Sequence, residues 1–519
     1  MPAELSRVFS AALYGVDAVE VEIEVNETSG GEQMQGSFVM VGLPDAAVRE
    51  SRDRVWTAIS NSAYPINIGG RTTVNLAPAD LRKEGPSFDL PIAVAMIANR
   101  VDYADRRQLD NYCLVGELAL NGIVRPVKGI LSIAQGARAA GRQELIVPLE
   151  NAEEASVVEG IRIIGVRNLR EAFEHVTGRA PLLPQKHKTL ADFASAQTWD
   201  IDFSDVKGQE SVKRAIEVAV AGGHNILMVG PPGTGKSMLA RRVATIMPAM
   251  SEAEAVETTK IHSICGLLDS RHQFLVHRPF RAPHHTISDA GLLGGGSNPM
   301  PGEVSLAHNG VLFLDELPEF NRSTLEVLRQ PLEDGKVTIS RAAGSMTFPA
   351  RSVVIGAMNP CPCGYFGHPK RECRCGTAQV HRYRQRISGP LLDRIDIHVE
   401  VPLVEYRDLA KTEASEPSAD IRARVEAARL IQKRRLEGSS ARSNATLTPK
   451  QMKEHCRIDE ESSLLLENTM SQMSFSARAH DRILRVARTI ADLADSSHIT
   501  ADHLLEAIGY RTLDRNLLS

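Results

Sequence analysis

The chain has few aromatic residues, few cysteines and no long apolar run. Aromatic residues make up 4% of its 519 positions. No segment supplies the ~18 consecutive apolar residues of a membrane-spanning helix. Its first residues lack the uninterrupted apolar core and cleavage site of a signal peptide. Seven cysteines, an odd number, do not fit a disulfide framework. These absences predict a cytoplasmic protein whose cysteines serve in metal binding or in burial.

The net charge is small, −4, so the overall composition does not favour a polyanionic partner. Any nucleic-acid contact must therefore use a local basic patch. Apolar residues make up 43% and charged residues 24% of the chain, as in ordinary globular proteins, so each domain can bury a core. The length fits roughly three domains.

Residues 230–237 read GPPGTGKS and match the phosphate-binding loop G-x-x-x-x-G-K-[S/T] at every fixed position. The loop follows an apolar strand at 225–229 and precedes a helix-periodic run at 238–246, the context that this motif requires. Backbone N–H groups and the helix N-terminus can hold phosphates, Lys236 can neutralise their charge, and Ser237 can ligate magnesium. The predicted nucleotide-binding residues of the loop are Gly230, Pro231, Pro232, Gly233, Thr234, Gly235, Lys236 and Ser237.

An apolar strand at 311–314 ends in two carboxylates, Asp315 and Glu316. Asp315 is placed to hold nucleotide-bound magnesium through water, and Glu316 to polarise the attacking water. The alternative is a buried strand that ends in an acidic helix cap. Because the phosphate loop and the acidic pair occur in one chain in this order, the sequence predicts an ATPase that uses ATP and Mg²⁺.

Strand and helix patterns interleave over residues 1–178, which predicts an α/β domain. Residues 19–25 alternate Val or Ile with Glu, the pattern of a strand with one solvent-exposed face. Asp45 is predicted to cap a helix, and further strands are predicted at 38–41, 72–76, 113–120, 145–147 and 161–166. Residues 179–203 lose this periodicity and are interpreted as a linker.

Two stretches of this domain resemble the proteolytic domain of Lon: KEGPSFDLPI at 83–92 and GELALNGIVRPVKGI at 116–130. Ser87 falls where that family keeps its nucleophile. The family's general-base lysine would fall at Leu131, and the nearest lysine, Lys128, lies three positions earlier. A serine without a base within reach is a weak nucleophile. We therefore expect a non-proteolytic Lon-like domain that serves assembly or DNA contact, with proteolysis as the alternative.

Residues 204–405 resemble the ATPase domain of AAA+ proteins. The segment 205–209 resembles the one that covers adenine, and RAPHHTISDAGLLGGG at 281–296 resembles the helix-2 insertion of the magnesium-chelatase and MCM branch. His284 and His285 are neighbours in this insertion. Adjacent side chains usually diverge, so a structural or polymer-contacting loop is favoured over a metal site.

Two alternating runs around Ala342-Ala-Gly344 predict a β-hairpin, at the position where MCM-like helicases have a pore hairpin. Lys336 and Arg341 are its candidates for phosphate contact with DNA. On an edge hairpin such charges also serve solubility alone, and this alternative stays open.

The AAA+ resemblance implies two further catalytic residues in this domain. Asn359, at the end of a strand at 352–359, corresponds to sensor 1, which orients the attacking water. Arg394, in LLDRID, corresponds to the finger that enters the neighbouring subunit's site, although Ile395 replaces the usual Phe. A finger in trans implies a homo-oligomeric ring.

Residues 406–519 turn helical and resemble the lid of AAA+ proteins. Arg478, in SARA, corresponds to sensor 2 and would reach the γ-phosphate; a plain surface arginine is the alternative. A basic amphipathic helix at 421–436 is expected to be exposed.

Four cysteines, Cys361, Cys363, Cys373 and Cys375, form two C-x-C pairs in a loop that contains Gly and Pro. Four thiolates can complete a tetrahedral zinc site, which would give such a loop a core; reduced free thiols are the alternative. The loop at 364–386 carries six Lys or Arg against one Glu, with interleaved aromatic residues. A nucleic-acid patch is favoured over a solvated face, and its candidates are Lys370, Arg371, Arg382 and Arg384.

The order of these features resembles the ComM/YifB family of magnesium-chelatase-like AAA+ ATPases over essentially the whole chain. The resemblance implies a bacterial homohexamer that binds single-stranded and branched DNA, moves branch points and helps integrate incoming strands during natural transformation. The main alternative is a chelatase-type motor that remodels a protein partner. Salt-sensitive stimulation of ATP hydrolysis by branched DNA would separate these two functions.

Overall fold

The computed structural model describes residues 4–28, 37–66, 70–101, 106–194, 199–268, 273–296, 299–341, 344–404, 415–473 and 475–513. Contacts divide the chain into two compact units. The first unit holds Met1–Ala196 and Ala255–Leu275, and the second holds Gln197–Glu254 and Val276–Ser519. The domain boundaries near residues 178, 203 and 405 stay predictions, and the membership of 255–275 in the first unit is not expected from the sequence pattern.

Strands and helices alternate through both units. The strands are β1 (Glu4–Tyr14), β2 (Asp17–Thr28), β3 (Ser37–Val41), β4 (Arg71–Ala77), β5 (Tyr112–Leu114), β6 (Glu117–Leu118), β7 (Val124–Arg125), β8 (Glu144–Pro148), β9 (Arg162–Val166), β10 (Ile226–Val229), β11 (Phe280–Arg281), β12 (Gly294–Gly295), β13 (Met300–Pro301), β14 (Val311–Leu314), β15 (Lys336–Arg341), β16 (Gly344–Pro349), β17 (Val353–Met358) and β18 (Ile397–Glu400). The helices are α1 (Ala46–Arg49), α2 (Ser51–Asn61), α3 (Asp89–Ala98), α4 (Ile130–Ala139), α5 (Ala152–Ala155), α6 (Leu169–Val176), α7 (Leu190–Ala194), α8 (Glu210–Gly222), α9 (Lys236–Ile246), α10 (Glu252–Ile264), α11 (Asp289–Leu293), α12 (Glu303–Leu306), α13 (Arg322–Glu326), α14 (Arg329–Asp334), α15 (Thr377–Arg384), α16 (Gly389–Leu392), α17 (Ser418–Arg435), α18 (Pro449–His455), α19 (Glu460–Met473), α20 (Ala477–Leu493) and α21 (Ala501–Gly509).

The first unit is built on a seven-stranded mixed sheet with the order β3-β4-β2-β1-β5-β8-β9. β1 and β2 form a long antiparallel ladder, whereas β5, β8 and β9 run parallel. In β2 the residues Val21, Ile23 and Val25 are buried and the glutamates between them are partly exposed, so the predicted alternation is confirmed for 21–25. Val19 departs from it, since 40% of this residue is exposed. Asp45 caps α1 by accepting a hydrogen bond from Val48 N at 2.8 Å, as predicted.

Two positions in the first unit bear on proteolysis. Ser87 lies in a short 3₁₀ turn, and its carbonyl accepts a hydrogen bond from Gly116 N at 2.9 Å. Leu131, the position of the general base in Lon, is fully buried in α4. A buried leucine takes up no proton, so this position supplies no base for Ser87.

Polar contacts hold the segment 255–275 within the first unit. Ser263 of α10 donates a hydrogen bond to the carboxylate of Glu154, and Lys260 pairs with Asp17 at 2.6 Å. The side chain of Glu154 lies in α5 and is buried, and this burial raises its pKa to about 7. The first unit therefore contains a buried carboxyl group that changes charge near neutral pH.

This buried carboxyl predicts a pH-dependent stability of the first unit. The folded-state pKa of Glu154 exceeds its ordinary value of 4.5, so the folded state binds the proton more tightly. The stabilisation is complete below about pH 4.5 and is lost as the pH rises through 7. Between pH 5 and pH 8 the loss amounts to roughly 2 to 3 kcal/mol of unfolding free energy.

We expect Glu154→Gln to remove most of this pH dependence, because Gln keeps the shape and has no proton to lose. The chain has two tryptophans, and in a Trp199→Phe background the fluorescence of Trp56 reports denaturant unfolding of the first unit. Glu153→Gln, on the neighbouring and more exposed carboxylate, is the matched control. An unchanged pH dependence in Glu154→Gln would contradict the assignment.

The second unit is built on a five-stranded parallel sheet with the order β11-β14-β17-β10-β18. Every residue of β10, β14 and β17 is buried. Helices α8, α9, α17 and α20 contribute to the same apolar core. The α/β fold class with a helical C-terminal region is therefore confirmed. No helix in the described part of the chain is long and apolar enough to cross a membrane.

Two local predictions were wrong in detail. The run at 113–120 forms β5 and β6 rather than one strand, because the chain passes close to other elements at Gly116. A Cβ there would lie 2.6 Å from Val124 Cγ1. The helix expected to be exposed at 421–436 is α17, which buries Ile421, Val425 and Ala428 in the core of the second unit.

Candidate active site

The sheet of the second unit brings three polar segments to one edge. The phosphate loop follows β10, the acidic pair follows β14, and Asn359 follows β17. These three strands are parallel neighbours, with Val229 opposite Met358 and Leu314 opposite Gly356. Their carboxyl ends therefore meet, which is where parallel α/β sheets bind ligands.

The phosphate loop depends on glycine at specific positions. Gly233 and Gly235 have φ values of +80° and +84°, in the left-handed region that favours glycine. At Gly230 a Cβ would lie 2.4 Å from the carbonyl oxygen of Val401. The loop then enters α9 at Lys236, so that its N–H groups and the helix N-terminus face the same space.

Lys236 is held by the loop that precedes it. Its Nζ donates to the carbonyl oxygens of Gly230 at 2.7 Å and Pro231 at 2.9 Å, and to Asn359 Oδ1 at 3.2 Å. Burial lowers the pKa of Lys236, while the charges of Asp315 and Glu316 oppose that shift. The structure thus brings the predicted lysine, the acidic pair and the sensor-1 asparagine together.

The two carboxylates of the acidic pair have different surroundings. Ser237 Oγ donates to Asp315 Oδ2 at 2.6 Å, so the two predicted magnesium ligands are in contact. Asp315 Oδ1 accepts a hydrogen bond from Glu316 N at 2.9 Å. The side chain of Glu316 is about half exposed, at 54%, and its backbone has a φ of +51°. A non-glycine residue in this region stores strain, a feature that clusters at functional sites.

Two residues near the site make contacts that the sequence did not predict. Gln209 has a φ of +60°, and its Nε2 donates to the carbonyl of Thr234 in the phosphate loop at 2.7 Å. His285, considered above as a metal ligand or polymer contact, places Nδ1 3.3 Å from Glu316 Oε2. The register of β11 with β14 places His285 near Glu316, and a search for motifs does not use strand register.

Arg394 and Arg478 lie together, away from the phosphate loop. Both line a cavity of about 730 Å³ in the second unit, and none of the described residues 230–237 lines it. Arg394 pairs with Glu333, and Arg478 lies 3.7 Å from Asp393. The cavity is strongly basic; its other arginines are Arg278, Arg351, Arg429, Arg442, Arg482 and Arg485.

The predicted hairpin forms as a separate two-stranded sheet of β15 and β16. Val337 and Ile339 are buried, whereas Lys336, Thr338 and Ser340 are exposed. Arg341 pairs with Gly344 in the backbone register, but its side chain and residues 342–343 lie outside the described part of the structure. The strand alternation is thus confirmed.

The four loop cysteines converge. Their sulfur atoms all lie within 4.8 Å of one another, and the sulfur atom of Cys361 is 3.4 Å from that of Cys363 and 3.7 Å from that of Cys373. Zinc–sulfur bonds of about 2.3 Å in a tetrahedron place sulfurs about 3.8 Å apart, so the cluster fits such an ion. Backbone N–H groups of Tyr365 and Arg374 lower the pKa of Cys363 to about 6, which favours the thiolate that a metal requires. Backbone N–H groups also lower the pKa values of Cys373 and Cys375, but burial and the neighbouring cysteine sulfurs outweigh that effect and raise them.

The basic residues of this loop differ in their surroundings. Lys370 and Arg382 are exposed. Arg371 donates to the hydroxyl of Tyr365 at 2.7 Å. Arg384 is partly buried, packs over the ring of Phe366 at 5.0 Å and donates to the carbonyl of Pro360 at 3.2 Å. Arg371 also lies over the ring of Tyr365 at 5.2 Å, so Arg371 and Arg384 both make contacts that hold the loop itself.

Comparison with known families covers both units. Profiles described as "Magnesium chelatase, subunit ChlI", "Subunit ChlI of Mg-chelatase" and "Magnesium chelatase, subunit ChlI C-terminal" match residues 202–409, 23–151 and 415–511. Lon protease 2 of Bacillus subtilis is 32% identical over 166 residues, which cover 30% of this chain and 29% of that protein.

Two relatives match over nearly their full length. The uncharacterized protein YifB of Escherichia coli strain K12 is 43% identical over 515 residues, and the competence protein ComM of Haemophilus influenzae is 43% identical over 519 residues. Both alignments cover 99% of this chain and 98% of the relative. With the phosphate loop, the acidic pair and the sheet order already described, these matches show that the chain is a magnesium-chelatase-like AAA+ ATPase and belongs to the ComM/YifB family.

Proposed function

We propose that this protein is an ATP-driven motor that moves DNA branch points in the cytoplasm and so helps to integrate single-stranded DNA during transformation and recombination. The observation that carries the proposal is the similarity to the competence protein ComM over 99% of the chain. The exposed hairpin lysine and the basic cysteine loop support it, since both belong to the unit that holds the nucleotide site.

We assign the nucleotide site as follows. Lys236 and the loop N–H groups bind the β- and γ-phosphates, and Ser237 and Asp315 hold Mg²⁺. Glu316 acts on the attacking water, which Asn359 orients. The contacts of Lys236 with Asn359 and of Ser237 with Asp315 support this division of roles.

Arg394 and Arg478 act on the nucleotide of a neighbouring subunit in a homo-oligomeric ring, for which a hexamer is proposed. They share one basic cavity that the described phosphate-loop residues do not line. A guanidinium in this cavity would stabilise transition-state charge on a nucleotide that a second subunit presents.

The hairpin is proposed to hold the DNA backbone. Exposed Lys336, with Arg341 at the turn end of β15, can contact phosphates without reading the sequence. Contact of this kind releases counterions, so DNA binding and DNA-stimulated ATP hydrolysis should weaken steeply with salt.

Charge reversal at the hairpin, Lys336→Glu with Arg341→Glu, is expected to abolish movement of three- and four-way junctions and to leave ATP affinity unchanged. The slope of DNA affinity against salt should fall by about 2, one unit for each lost phosphate contact. Reversal of the exposed Lys450 and Lys453 on α18 makes the same change in charge elsewhere and is the control. Equal junction movement in the hairpin and control variants would count against DNA contact by the hairpin.

We further propose that the four cysteines bind a structural zinc ion. Elemental analysis should find about one zinc per chain, and the double variant Cys373→Ser, Cys375→Ser should lose it, because two ligands are too few to hold the ion. Cys265→Ser, which lies outside the cluster, should keep the metal. Metal-free wild-type protein with full activity would refute the zinc proposal.

A chelatase-type motor that remodels a protein partner is the second candidate, favoured by the three magnesium-chelatase profiles that match the chain. ATP hydrolysis that branched DNA fails to stimulate at low salt would favour it.

A further inference from the structure

The cysteine loop, residues 361–375, approaches the phosphate loop closely. Gly364 is buried, and a Cβ there would lie 2.6 Å from Cδ and 3.0 Å from Cγ of Pro232. A proline ring is joined to the backbone at both ends, so it does not swing aside as a long side chain would. The two loops therefore meet at a point where no side chain fits between them.

The sheet of the second unit brings these two loops together. The phosphate loop follows β10 and the cysteine loop follows β17, and these parallel strands are neighbours with Val229 opposite Met358. Gly230 N donates a hydrogen bond to the carbonyl of Met358 at 3.1 Å, so the pairing continues into the phosphate loop. Both loops therefore leave the sheet side by side, at the edge where parallel sheets bind ligands.

The shape of the cysteine loop depends on its cysteine cluster. The structure describes every residue between β17 and α15, and none of them lies in a helix or strand. Cys361 Sγ lies 3.7 Å from Cys373 Sγ and accepts a hydrogen bond from Phe366 N at 3.3 Å. Gly364 N donates to the carbonyl of Cys361 at 2.9 Å. The cluster thus fixes the residue that meets Pro232.

We propose that the cysteine loop is a metal-dependent support of the phosphate loop, so that zinc binding to the four cysteines raises the affinity for ATP and ADP. With zinc bound, the loop keeps the conformation that places Gly364 against Pro232, and this contact keeps the loop N–H groups directed at the phosphates. Residues that bind a ligand need neighbours that hold them in place, because a site that is loose by ~1 Å binds poorly. Such coupling is reciprocal, so nucleotide should raise the affinity for zinc by the same factor. The coupling rests on the zinc and nucleotide sites proposed above.

Gly364→Ala should raise the dissociation constant for ADP about tenfold, because the new Cβ displaces Pro232 and a shift of ~1 Å is costly in an organised site. ADP is the probe because binding is then measured without turnover, by isothermal titration calorimetry. Gly367→Ala is the matched control. Gly367 has a φ of +75° against +84° at Gly364, but a Cβ there meets no atom of the described chain within 4 Å. This control carries similar backbone strain and should keep ADP affinity within about twofold of wild type.

A double-mutant cycle separates the contact from general damage to the loop. In a Pro232→Ala background, Gly364→Ala should weaken ADP binding little further, because the ring atoms that its Cβ would meet are gone. The coupling between the two substitutions measures the contact itself.

The role of the metal is tested by measuring zinc content and ADP affinity on the same preparations. Cys373→Ser with Cys375→Ser should lose the zinc and bind ADP about tenfold more weakly, whereas Cys265→Ser should keep both. In wild type, saturating ADP should lower the dissociation constant for zinc by the same factor, about tenfold, in competition with a colorimetric chelator.

Three outcomes would overturn the coupling. Wild-type ADP affinity in Gly364→Ala would show that the contact with Pro232 is not needed. Equal losses in Gly364→Ala and Gly367→Ala would assign the effect to backbone strain. Full ADP affinity in the zinc-free double variant would separate the metal from the nucleotide site. Zinc-free wild-type protein would instead refute the zinc proposal and the coupling with it, and wild-type ADP affinity in Lys236→Ala would refute the nucleotide site.

Discussion

Replacing Glu316 with Gln is expected to lower kcat for ATP hydrolysis by at least ~100-fold, the usual contribution of a general base. ATP affinity should change little, because Lys236, Ser237 and the loop N–H groups, which we propose as the phosphate-binding groups, stay in place. Single-turnover hydrolysis and nucleotide titration on the same preparations measure the two quantities.

Glu319→Gln is the matched control, since Glu319 lies three residues farther on, is also about half exposed and pairs with Arg386 at 2.8 Å. It should hydrolyse ATP at close to the wild-type rate. Equal turnover in Glu316→Gln and wild type would show that Glu316 is not the general base. The acidic pair would then be a helix cap.

Replacing Arg394 with Ala is expected to reduce ATP hydrolysis on the order of 1,000-fold, as for a lost arginine finger. The variant should still bind ATP, because Arg394 lies in the basic cavity rather than at the phosphate loop of its own chain. Size-exclusion chromatography with light scattering checks that the variant assembles as the wild type does.

A mixing experiment shows whether the arginine acts in trans. Arg394→Ala subunits keep an intact phosphate loop, and Lys236→Ala subunits keep an intact arginine. In mixed rings, some interfaces combine one of each and regain a complete site, so activity should recover and peak at intermediate ratios. No recovery at any ratio would contradict a finger in trans.

The sequence predicts where the phosphate loop and the acidic pair lie in the fold, because that information is local. GPPGTGKS lies directly between β10 and α9, and Asp315 directly follows β14, so residue spacing alone positions these groups. The sequence does not predict β1. Ser6 and Ser10 are buried there beside Val8, so the usual alternation of polar and apolar residues in a strand is lost. Ser6 Oγ instead donates to the carbonyl of Ala95 at 2.7 Å, a partner far away in sequence.

The remaining features depend on contacts between distant segments. The segment 255–275 packs in the first unit through partners such as Glu154, which lies over a hundred residues away. Arg394 and Arg478 line one cavity, although more than eighty residues separate them in the sequence. His285 meets Glu316 through the register of β11 with β14. The spacing of residues within a motif does not predict these contacts, because each contact depends on how separate elements pack.

The most direct test of the account is ATP-driven movement of labelled three- and four-way DNA junctions, with wild type beside Glu316→Gln at low salt. Both proteins should bind the junctions and only wild type should rearrange them, since Glu316→Gln keeps DNA contact and loses turnover. Wild-type protein that hydrolyses ATP as an oligomer, yet neither binds nor rearranges any junction, would contradict a role in moving DNA branch points.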